Sequence, residues 1–264
     1  MTKRIRSLAR GLTVVNAIDQ ASGPVTLGEL HHATGMDRAT ILRILATLEH
    51  EGWVYRGLGD NRYRLTYRLH DLGEHVSVHD AVAQLAAPVL EQLQEELIWP
   101  SDIAIFDGEG MAIIETSRRR TAIVLNREVV GYRPSMLKSA MGRAYLGFCD
   151  ERRLGTILDK LKKKGGEEAL LAADKGYIDR LRSVVQQRGY AQRDPTVFPL
   201  PSASEEEFDA IAVPVIVMGD VQACLSLVWI NTAHPEKGVE VRFAARLREA
   251  AAVLAEAFHD QGLY

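Results

Sequence analysis

The chain has few cysteines and no long apolar run, and both shortages narrow what it can be. Its two cysteines, Cys149 and Cys224, provide neither a disulfide framework nor the paired spacing of a zinc site. No apolar stretch approaches the roughly 20 residues that span a bilayer. The basic N-terminus lacks the apolar core of a secretory signal. We therefore expect a cytoplasmic protein that makes no contact with a membrane.

Sequence motifs of catalysis are also missing. There is no G-x-S-x-G elbow, P-loop, dinucleotide fingerprint or H-E-x-x-H pair. His75 and His79 have helical i, i+4 spacing, but no cysteine or carboxylate pattern completes a metal site. We therefore expect no catalysis, no cofactor and no bound metal. An alternative is a small-molecule hydrolase with an accessory domain, which would turn over an aromatic ester.

The chain does contain enough apolar residues for a folded core and an uneven distribution of charge. Its 264 residues, 47% hydrophobic and 25% charged, suit one large domain or two ordinary ones. Residues 1–68 contain ten Lys and Arg against six Asp and Glu, a net charge of +4, whereas the remainder carries −7. A basic N-terminal domain on an acidic body favours phosphate binding at that end.

Residues 26–65 are the most informative stretch. A short apolar-periodic run containing Leu27 and Leu30 is closed by Gly35, which is typical of a helix C-terminus. Asp37 then occupies an N-cap position at the start of a second apolar-periodic run. Two short helices joined by a tight glycine-containing turn indicate a helix-turn-helix, whose second helix enters the major groove.

The second helix has a polar side suited to reading DNA. Ile41 and Leu45 recur at helical spacing and define a buried face. Arg38, Thr40 and Arg43 lie on the other side, and we predict that they contact DNA. Arginine donates two hydrogen bonds to a guanine edge, and threonine bonds a phosphate or touches a thymine methyl group.

Two short strands follow the helix-turn-helix. The run W-V-Y-R-G-L-G-D-N-R-Y-R-L is broken by a turn cluster at residues 59–61, which predicts a hairpin and therefore a winged domain. Arg62 and Arg64 fall on this wing, where we expect backbone or minor-groove contacts. Two alternatives are a purely structural helical hairpin with a solvated basic face, and a winged domain that mediates protein contacts.

The rest of the chain alternates helical and strand patterns. An apolar-periodic helix over residues 80–98 contains Pro88, which predicts a kink or a restart. Strand and helix patterns then alternate, and the chain closes on two strands and a helix over residues 239–259. The fold class is therefore α+β. We predict a winged helix-turn-helix domain at 1–78, and a linker helix with a mixed-sheet domain at 79–264.

Several of these motifs resemble those of the IclR family of bacterial transcriptional regulators. The N-terminal ones are S-L-A-R-G-L-T-V-V-N-A-I, L-x-E-L and R-A-T-I-L-R-I-L-A-T-L-E-H-E-G-W-V. The C-terminal ones include K-S-A-M-G-R-A-Y-L, R-G-Y, I-A-V-P-V and A-C-L-S. The resemblance implies a GAF-like effector domain, and W-P-S-D brings it nearest to regulators of aromatic-acid and hydroxyphenylpropionate catabolism. Ser139 and Arg143 replace the family's usual Thr and Lys.

A pocket for a small carboxylate is predicted beside the N-terminus of a helix expected over residues 137–149. Free amides at a helix N-terminus attract anions, so Ser139 and Ala140 are candidate ligands. Lys138, Arg127 and Arg133 are nearby candidate cations, although the two arginines also fit an ordinary surface loop. The resemblance further implies pocket-lining roles for four residues, whose strand faces also fit a plain core: Met111, Ala210, Ser226 and Val228.

The partners follow from these interpretations. We expect a homodimer or homotetramer that binds a near-palindromic double-stranded operator, because two-fold symmetry presents two recognition helices to half-sites. The effector is expected to be an aromatic or phenylpropanoid carboxylate. An activator would also contact RNA polymerase. The resemblance implies that the helix at 80–98 helps to dimerise the chain, and the alternative is that its stripe packs on its own domain.

Overall fold

The computed structural model of the 264-residue chain describes residues 4–73, 77–118, 129–194, 208–233 and 238–264. These residues form two compact units, the winged unit (Met1–Ser77) and the sheet unit (Val78–Tyr264). Within the described ranges, no helix combines the length and the apolar composition needed to cross a membrane.

The winged unit is a small three-helix core closed by a two-stranded hairpin. Leu30, Ile41 and Leu45 are fully buried and come from the two helices of the predicted helix-turn-helix. The hairpin strands pair antiparallel, and Tyr63 packs into the same core. The elements are α1 (Arg6–Asp19), α2 (Leu27–Thr34), α3 (Arg38–His50), β1 (Val54–Arg56), β2 (Tyr63–Leu65) and α4 (Arg68–Gly73).

The apolar face of α1 differs from the face that its periodicity predicts. Leu8, Leu12, Val15 and Ile18 share a stripe in the sequence, but the structure buries Val14 and Ile18. Leu8 and Leu12 are 60% and 53% exposed. Apolar residues lie on more than one face of α1, and the small core buries only the face with Val14 and Ile18. Periodicity alone therefore predicted a face that is partly exposed to solvent.

The sheet unit combines one five-stranded sheet with six helices among its described residues. The strand order is β4-β3-β7-β6-β5, and every neighbouring pair is antiparallel. The elements are α5 (Val78–Leu97), β3 (Ser101–Phe106), β4 (Met111–Thr116), α6 (Ala140–Phe148), α7 (Glu151–Lys164), α8 (Glu167–Ala173), α9 (Lys175–Arg188), β5 (Ala191–Gln192), β6 (Phe208–Val217), β7 (Asp220–Ile230) and α10 (Val239–Asp260).

Both faces of the sheet are covered. Alternate residues of β7 point to opposite sides, so Leu225 and Leu227 join the core with α5 and α10, whereas Cys224 joins the core with α6, α7 and α9. Residues two apart share a face in any strand. The alternation explains why β6 and β7 read as continuous apolar runs, and it confirms the predicted mixture of strands and helices.

Two helix predictions need correction. Residues 169–188 were expected to be one helix, but Asp174 ends α8 and its side chain caps α9 by accepting from the Tyr177 amide at 3.0 Å. A capping carboxylate offers the chain a local restart that periodicity does not reveal. At Pro88, where the sequence predicts a kink or a restart, α5 continues as one helix from Val78 to Leu97, which excludes the restart. The strand expected over residues 121–125 lies outside the described residues.

The outer edge of β6 is short of strand partners. β5 pairs with β6 only at Ile211 and Ala212. The Arg193 amide bonds the Ala210 carbonyl oxygen, so even-numbered residues of β6 direct their backbone polar groups toward that edge. Beyond Ala212, the next residue of β6 whose backbone faces that edge is Pro214. Proline has no amide proton to donate to another strand.

Candidate functional site

The helix-turn-helix is fixed by polar contacts at each of its helix ends. The Thr26 hydroxyl accepts from the Glu29 amide while the Glu29 carboxylate accepts from the Thr26 amide, a reciprocal capping box at the start of α2. Gly35 ends α2 with φ = 67°, a left-handed conformation that favours glycine. These contacts set the turn that presents α3.

The α3 helix presents two unengaged guanidinium groups. Arg38 and Arg43 are exposed, and neither side chain forms an ion pair with any residue that the structure describes. Ile41 and Leu45 anchor the opposite side of α3 in the core. The predicted DNA-contacting arginines are therefore held on a rigid element, with their donors available to an external acceptor.

Thr40 already makes local contacts. Its amide donates to Asp37 Oδ1 at 2.8 Å, and its hydroxyl donates to Asp37 Oδ2 at 2.7 Å. These hydrogen bonds from Thr40 lower the pKa of the Asp37 carboxyl. With its proton committed to the cap, the Thr40 hydroxyl offers only its lone pairs and its methyl group to DNA.

The wing arginines are tied to the winged unit itself. Arg62 donates to the Pro24 carbonyl oxygen at 2.9 Å and pairs with Glu29 at 3.3 Å. Arg64 pairs with Asp60 at 2.6 Å, and this hydrogen-bonded contact holds the pKa of Asp60 at about 2. Both residues thus stabilise the wing, and a DNA contact by either would compete with these pairs.

The sheet unit contains a cavity between its sheet and the N-terminus of α6. Its volume is about 110 Å³, slightly smaller than the ~150 Å³ cavity that holds a benzene molecule in an engineered protein. The lining combines apolar walls with four charged side chains. The lining residues are Asp102, Ile113, Arg118, Val129, Tyr132, Pro134, Ser135, Lys138, Ser139, Ala140, Met141, Arg193, Ala210, Ser226 and Val228.

The α6 N-terminus faces this cavity with a neutral cap. The Ser139 hydroxyl accepts from the Gly142 amide at 3.0 Å. The backbone amides of Ala140 and Met141, the two residues before Gly142, have no hydrogen-bond acceptor among the described residues. A Cβ on Gly142 would clash with the Met136 backbone, so glycine lets the preceding loop lie directly on the first turn of α6.

One wall of the cavity is a buried ion pair. Asp102 on β3 and Arg118 after β4 are 1% and 5% exposed. Arg118 Nε and Nη2 donate to the Asp102 carboxylate at 2.9 and 2.7 Å, and the Thr116 hydroxyl adds a third donor at 2.6 Å. Burial acts to lower the pKa of Arg118, but the Asp102 carboxylate outweighs it and the pKa is raised.

Two further cations lie in the lining, each beside a carboxylate. Lys138 Nζ is 2.6 Å from the Glu167 carboxylate, which is largely exposed. Arg193 Nε is 3.6 Å from Asp209 Oδ1, and the guanidinium also donates to the Phe208 carbonyl oxygen. Burial raises the pKa of Asp209 despite its hydrogen bonds from Gln192 and the Ala210 amide. The four charged lining residues therefore sum to +2.

The structure gathers most, but not all, of the residues predicted to bind an effector. Met111 is buried in the core beneath the cavity and does not line it. Arg133 is 57% exposed and pairs with Asp107 at 2.8 Å. Arg127 lies outside the described residues. Six of the nine line the cavity: Lys138, Ser139, Ala140, Ala210, Ser226 and Val228.

Sequence reasoning missed three charged lining residues. Asp102 stood in the W-P-S-D motif, but nothing in its neighbourhood indicated a buried partner. Arg118 and Arg193 lie 16 and 91 positions further along the chain, so only the sheet reveals that they share a cavity with it. The signal available was a charged residue in an otherwise apolar strand pattern, which predicts burial with a partner.

Neither metal nor thiol chemistry is built into the described residues. In that part of the chain, no three His, Cys, Asp or Glu side chains come together as a metal site; His75 lies outside it. Both cysteines are buried, and burial raises the pKa of Cys149 to about 11. Such a thiol is not the thiolate that nucleophilic catalysis needs.

A recognition helix with a wing, joined in one chain to a sheet unit with a charged cavity, defines the class of ligand-responsive transcription factors. The sequence matches the IclR helix-turn-helix domain over residues 7–57 and the C-terminal domain of the bacterial transcriptional regulator IclR over residues 74–255. The chain therefore belongs to the IclR family. It is a DNA-binding regulator under effector control, and its family comprises transcriptional regulators rather than enzymes.

Relatives span nearly the whole chain at low identity. The HTH-type transcriptional regulator XynR of Escherichia coli K12 is 24% identical over 255 residues, 96% of this chain and 97% of the relative. The Pca regulon regulatory protein of Pseudomonas putida is 26% identical over 223 residues, covering 84% and 73%. An IclR homolog from Microbacterium hydrocarbonoxydans, solved with 4-hydroxybenzoate, shares the fold with a TM-score of 0.53 at 23% identity, covering 96% and 99%.

Proposed function

We propose that the cavity of the sheet unit binds a small aromatic or phenylpropanoid carboxylate, and that this acid is the effector. The observation that carries the proposal is the polar end of the cavity, where the free amides of Ala140 and Met141 meet Lys138. Amides at a helix N-terminus and a nearby cation both favour a carboxylate. The apolar lining and the volume of about 110 Å³ suit a single ring.

The named relatives support the same chemical class. One is named for the Pca regulon, and one structure of the same fold holds 4-hydroxybenzoate. The cavity residues Ala210 and Val228 are small and apolar and stand opposite each other on neighbouring strands, which leaves a flat wall for a ring. Tyr132 and Pro134 complete the apolar lining.

For the winged unit, we propose that Arg38 and Arg43 read base edges, and that Thr40 touches a thymine methyl group or, on releasing Asp37, donates its hydroxyl proton to a phosphate. Arg62 and Arg64 then act on the backbone or minor groove through, or in place of, their present ion pairs. A dimer or tetramer would bind a near-palindromic operator. If the protein is an activator, its bound form also contacts RNA polymerase.

The effector proposal is tested by thermal unfolding of the full chain with acids and their matched primary amides. A ligand at a hundred times its dissociation constant adds about 2.7 kcal/mol to the free energy of unfolding, or about 5–10 °C in Tm for a unit of this size. We expect the acids to shift Tm and the amides of the same ring systems to leave it unchanged. Equal shifts from acid and amide would contradict carboxylate recognition at α6.

A paired measurement links the cavity to the operator. Binding to operator DNA is followed by fluorescence anisotropy with and without the acid that shifts Tm. Effector control requires that the acid change operator affinity, because a ligand shifts an equilibrium only through different affinities for its two states. An acid that stabilises the protein but leaves operator affinity unchanged is not the effector.

A further inference from the structure

Arg118, which forms a buried ion pair with Asp102, hydrogen-bonds through only two of its three guanidinium nitrogens. Nε and Nη2 bind the Asp102 carboxylate, whereas Nη1 is buried with no hydrogen-bond partner among the residues that the structure describes. A buried donor left without an acceptor is destabilising. Both residues line the cavity, which makes a molecule bound there the nearest candidate acceptor for Nη1.

The carboxylate of the pair also retains an accepting position. A carboxylate has about four acceptor sites. Asp102 Oδ1 accepts from Arg118 Nε and the Thr116 hydroxyl, whereas Oδ2 accepts from Arg118 Nη2 at 2.7 Å and otherwise has only a longer, shared contact with Nε at 3.2 Å. Ser226 is the residue opposite Asp102 on the neighbouring strand and lines the same cavity. The pair thus presents from a single wall one unused donor, Nη1, and one available acceptor, the Oδ2 site that only the longer Nε contact reaches.

The balance of charge decides which ligand group fits there. Asp102 neutralises Arg118 through a bidentate contact, so the wall has no net positive charge to offer a second carboxylate. An incoming carboxylate would also meet the Asp102 carboxylate, and like charges in a buried site repel. A hydroxyl group both accepts and donates, and so matches an unused donor beside an available acceptor.

We propose that Asp102 and Arg118 form a hydroxyl-recognition subsite, at which the effector's ring hydroxyl accepts from Arg118 Nη1 and donates to Asp102. This inference rests on the proposed function, because the carboxylate of the same ligand lies at the Ala140 and Met141 amides. The effector is then a hydroxylated acid, gripped at its carboxylate by α6 and at its hydroxyl by the sheet. Plain acids, which lack a ring hydroxyl, bind only through their carboxylate at the N-terminus of α6.

The test compares three forms of each acid on the full-length protein by calorimetry. The probes are benzoate and 3-phenylpropionate, their ring-monohydroxylated isomers, and the corresponding methoxy compounds. A methoxy oxygen accepts a hydrogen bond but cannot donate one. We expect one hydroxylated isomer to bind at least ~10-fold more tightly than its plain and methoxy analogues, the scale of hydrogen bonds to charged groups.

A double variant isolates the pair. Asp102→Leu with Arg118→Met removes both charges together, so neither is left buried and unpaired. The hydroxyl preference, which is the ratio of the two affinities measured in the same protein, should fall from ~10-fold to about 1-fold. Thr116→Val is the matched control, because it removes one donor to Asp102 at a residue that does not line the cavity. It should retain the preference.

The outcomes separate this inference from the effector proposal. Equal affinity for plain and hydroxylated acids, or a preference that survives in the double variant, overturns the hydroxyl subsite and leaves the carboxylate site standing. A methoxy analogue as tight as the hydroxyl compound overturns the donation to Asp102. If none of these acids binds the parent protein, both proposals fail. The ligand series needs no variant, so it remains decisive even if the double variant does not fold.

Discussion

Arg38 and Arg43 in the winged unit are exposed on α3 and pair with no residue in the described part of the chain, whereas Arg118 in the sheet unit is 5% exposed and bound to Asp102 on two of its nitrogens. The two proposals therefore assign the same type of side chain to two kinds of recognition. An exposed guanidinium attracts a polyanion over a Debye length of about 8 Å at physiological salt. A buried, preorganised one acts only on a ligand that enters its cavity.

The difference in solvent exposure predicts which of these interactions weaken as the salt concentration rises. DNA binding through exposed arginines releases counterions, so its affinity falls steeply as salt rises. The Asp102–Arg118 pair is shielded from the solvent, and its contribution should change little over the same range. Exposed ion pairs within the winged unit, such as Asp60 with Arg64 at 2.6 Å, should have an intermediate dependence on salt. Their contact is short, but solvent and ions screen the two charges.

The largest expected effect separates the buried pair from the exposed one. Asp102→Asn leaves Arg118 charged and buried without its partner, which should lower the free energy of unfolding by about 3–5 kcal/mol. Asp60→Asn removes the partner of the exposed Arg64 and should leave the unfolding midpoint within error. Chemical denaturation of both variants measures this contrast. Equal midpoints would show that the buried pair is not tightly coupled to folding.

Removal of the exposed arginines should act on DNA and not on stability. Arg38→Ala with Arg43→Ala is expected to weaken operator binding by about a hundredfold or more, at ~1–3 kcal/mol for each base contact, and to flatten its salt dependence. Anisotropy titrations across a salt series measure both. Arg152→Ala, an exposed change in the sheet unit, is the control. Retained binding by the double variant would exclude α3 as the reading element.

A smaller effect concerns two helical glycines of the sheet unit. Gly142→Ala introduces a Cβ that clashes with the Met136 backbone, and such overpacking lowers stability by ~1–3 kcal/mol. Gly155→Ala on α7 meets nothing within 4 Å and should raise stability by up to about 1 kcal/mol. Opposite shifts in Tm are expected. If Gly142→Ala is also stabilising, the loop before α6 does not need its close contact.

The smallest effect is a pH response of the wing. The Arg64 contact lowers the pKa of Asp60 from 3.8 to about 2. A carboxyl whose folded pKa is depressed stabilises the fold above its unfolded pKa, and this contribution is lost as the pH falls through the folded value. Carboxyl NMR should show Asp60 titrating near pH 2 in the parent and at a clearly higher pH in Arg64→Ala, where the Arg62 amide still donates to this carboxylate. A midpoint near 3.8 in the parent would mean that the pair is open in solution.

Local chemistry made the winged unit readable from its sequence. Gly35 and Asp37 are the residues that a turn and an N-cap require, and the structure places them in those roles. Each of these features depends on residues within four positions of one another, so spacing alone contains the information.

The charged wall of the cavity was not readable, because it depends on strand order. Asp102 meets Arg118 only after β3 and β4 fold back as a hairpin, and Ser226 joins them because β7 pairs with β3. Met111 shows the reverse error: it shares a sheet face with Ile113, which lines the cavity, but it lies two residues nearer the β3–β4 turn and is covered there by the core. A shift of one residue in a strand exchanges faces, and no local pattern reports that register.

Pro214 affects how the protein behaves at high concentration. A strand edge with free amides is a template on which another chain can add a strand, and this leads to aggregation. Beyond Ala212 the described part of β6 has no strand on its outer side, and proline occupies the position where the next outward amide would stand. At this position β6 therefore cannot donate a backbone hydrogen bond to a strand of another molecule. The missing hydrogen bond disfavours the strand pairing from which fibrils of this apolar strand would grow.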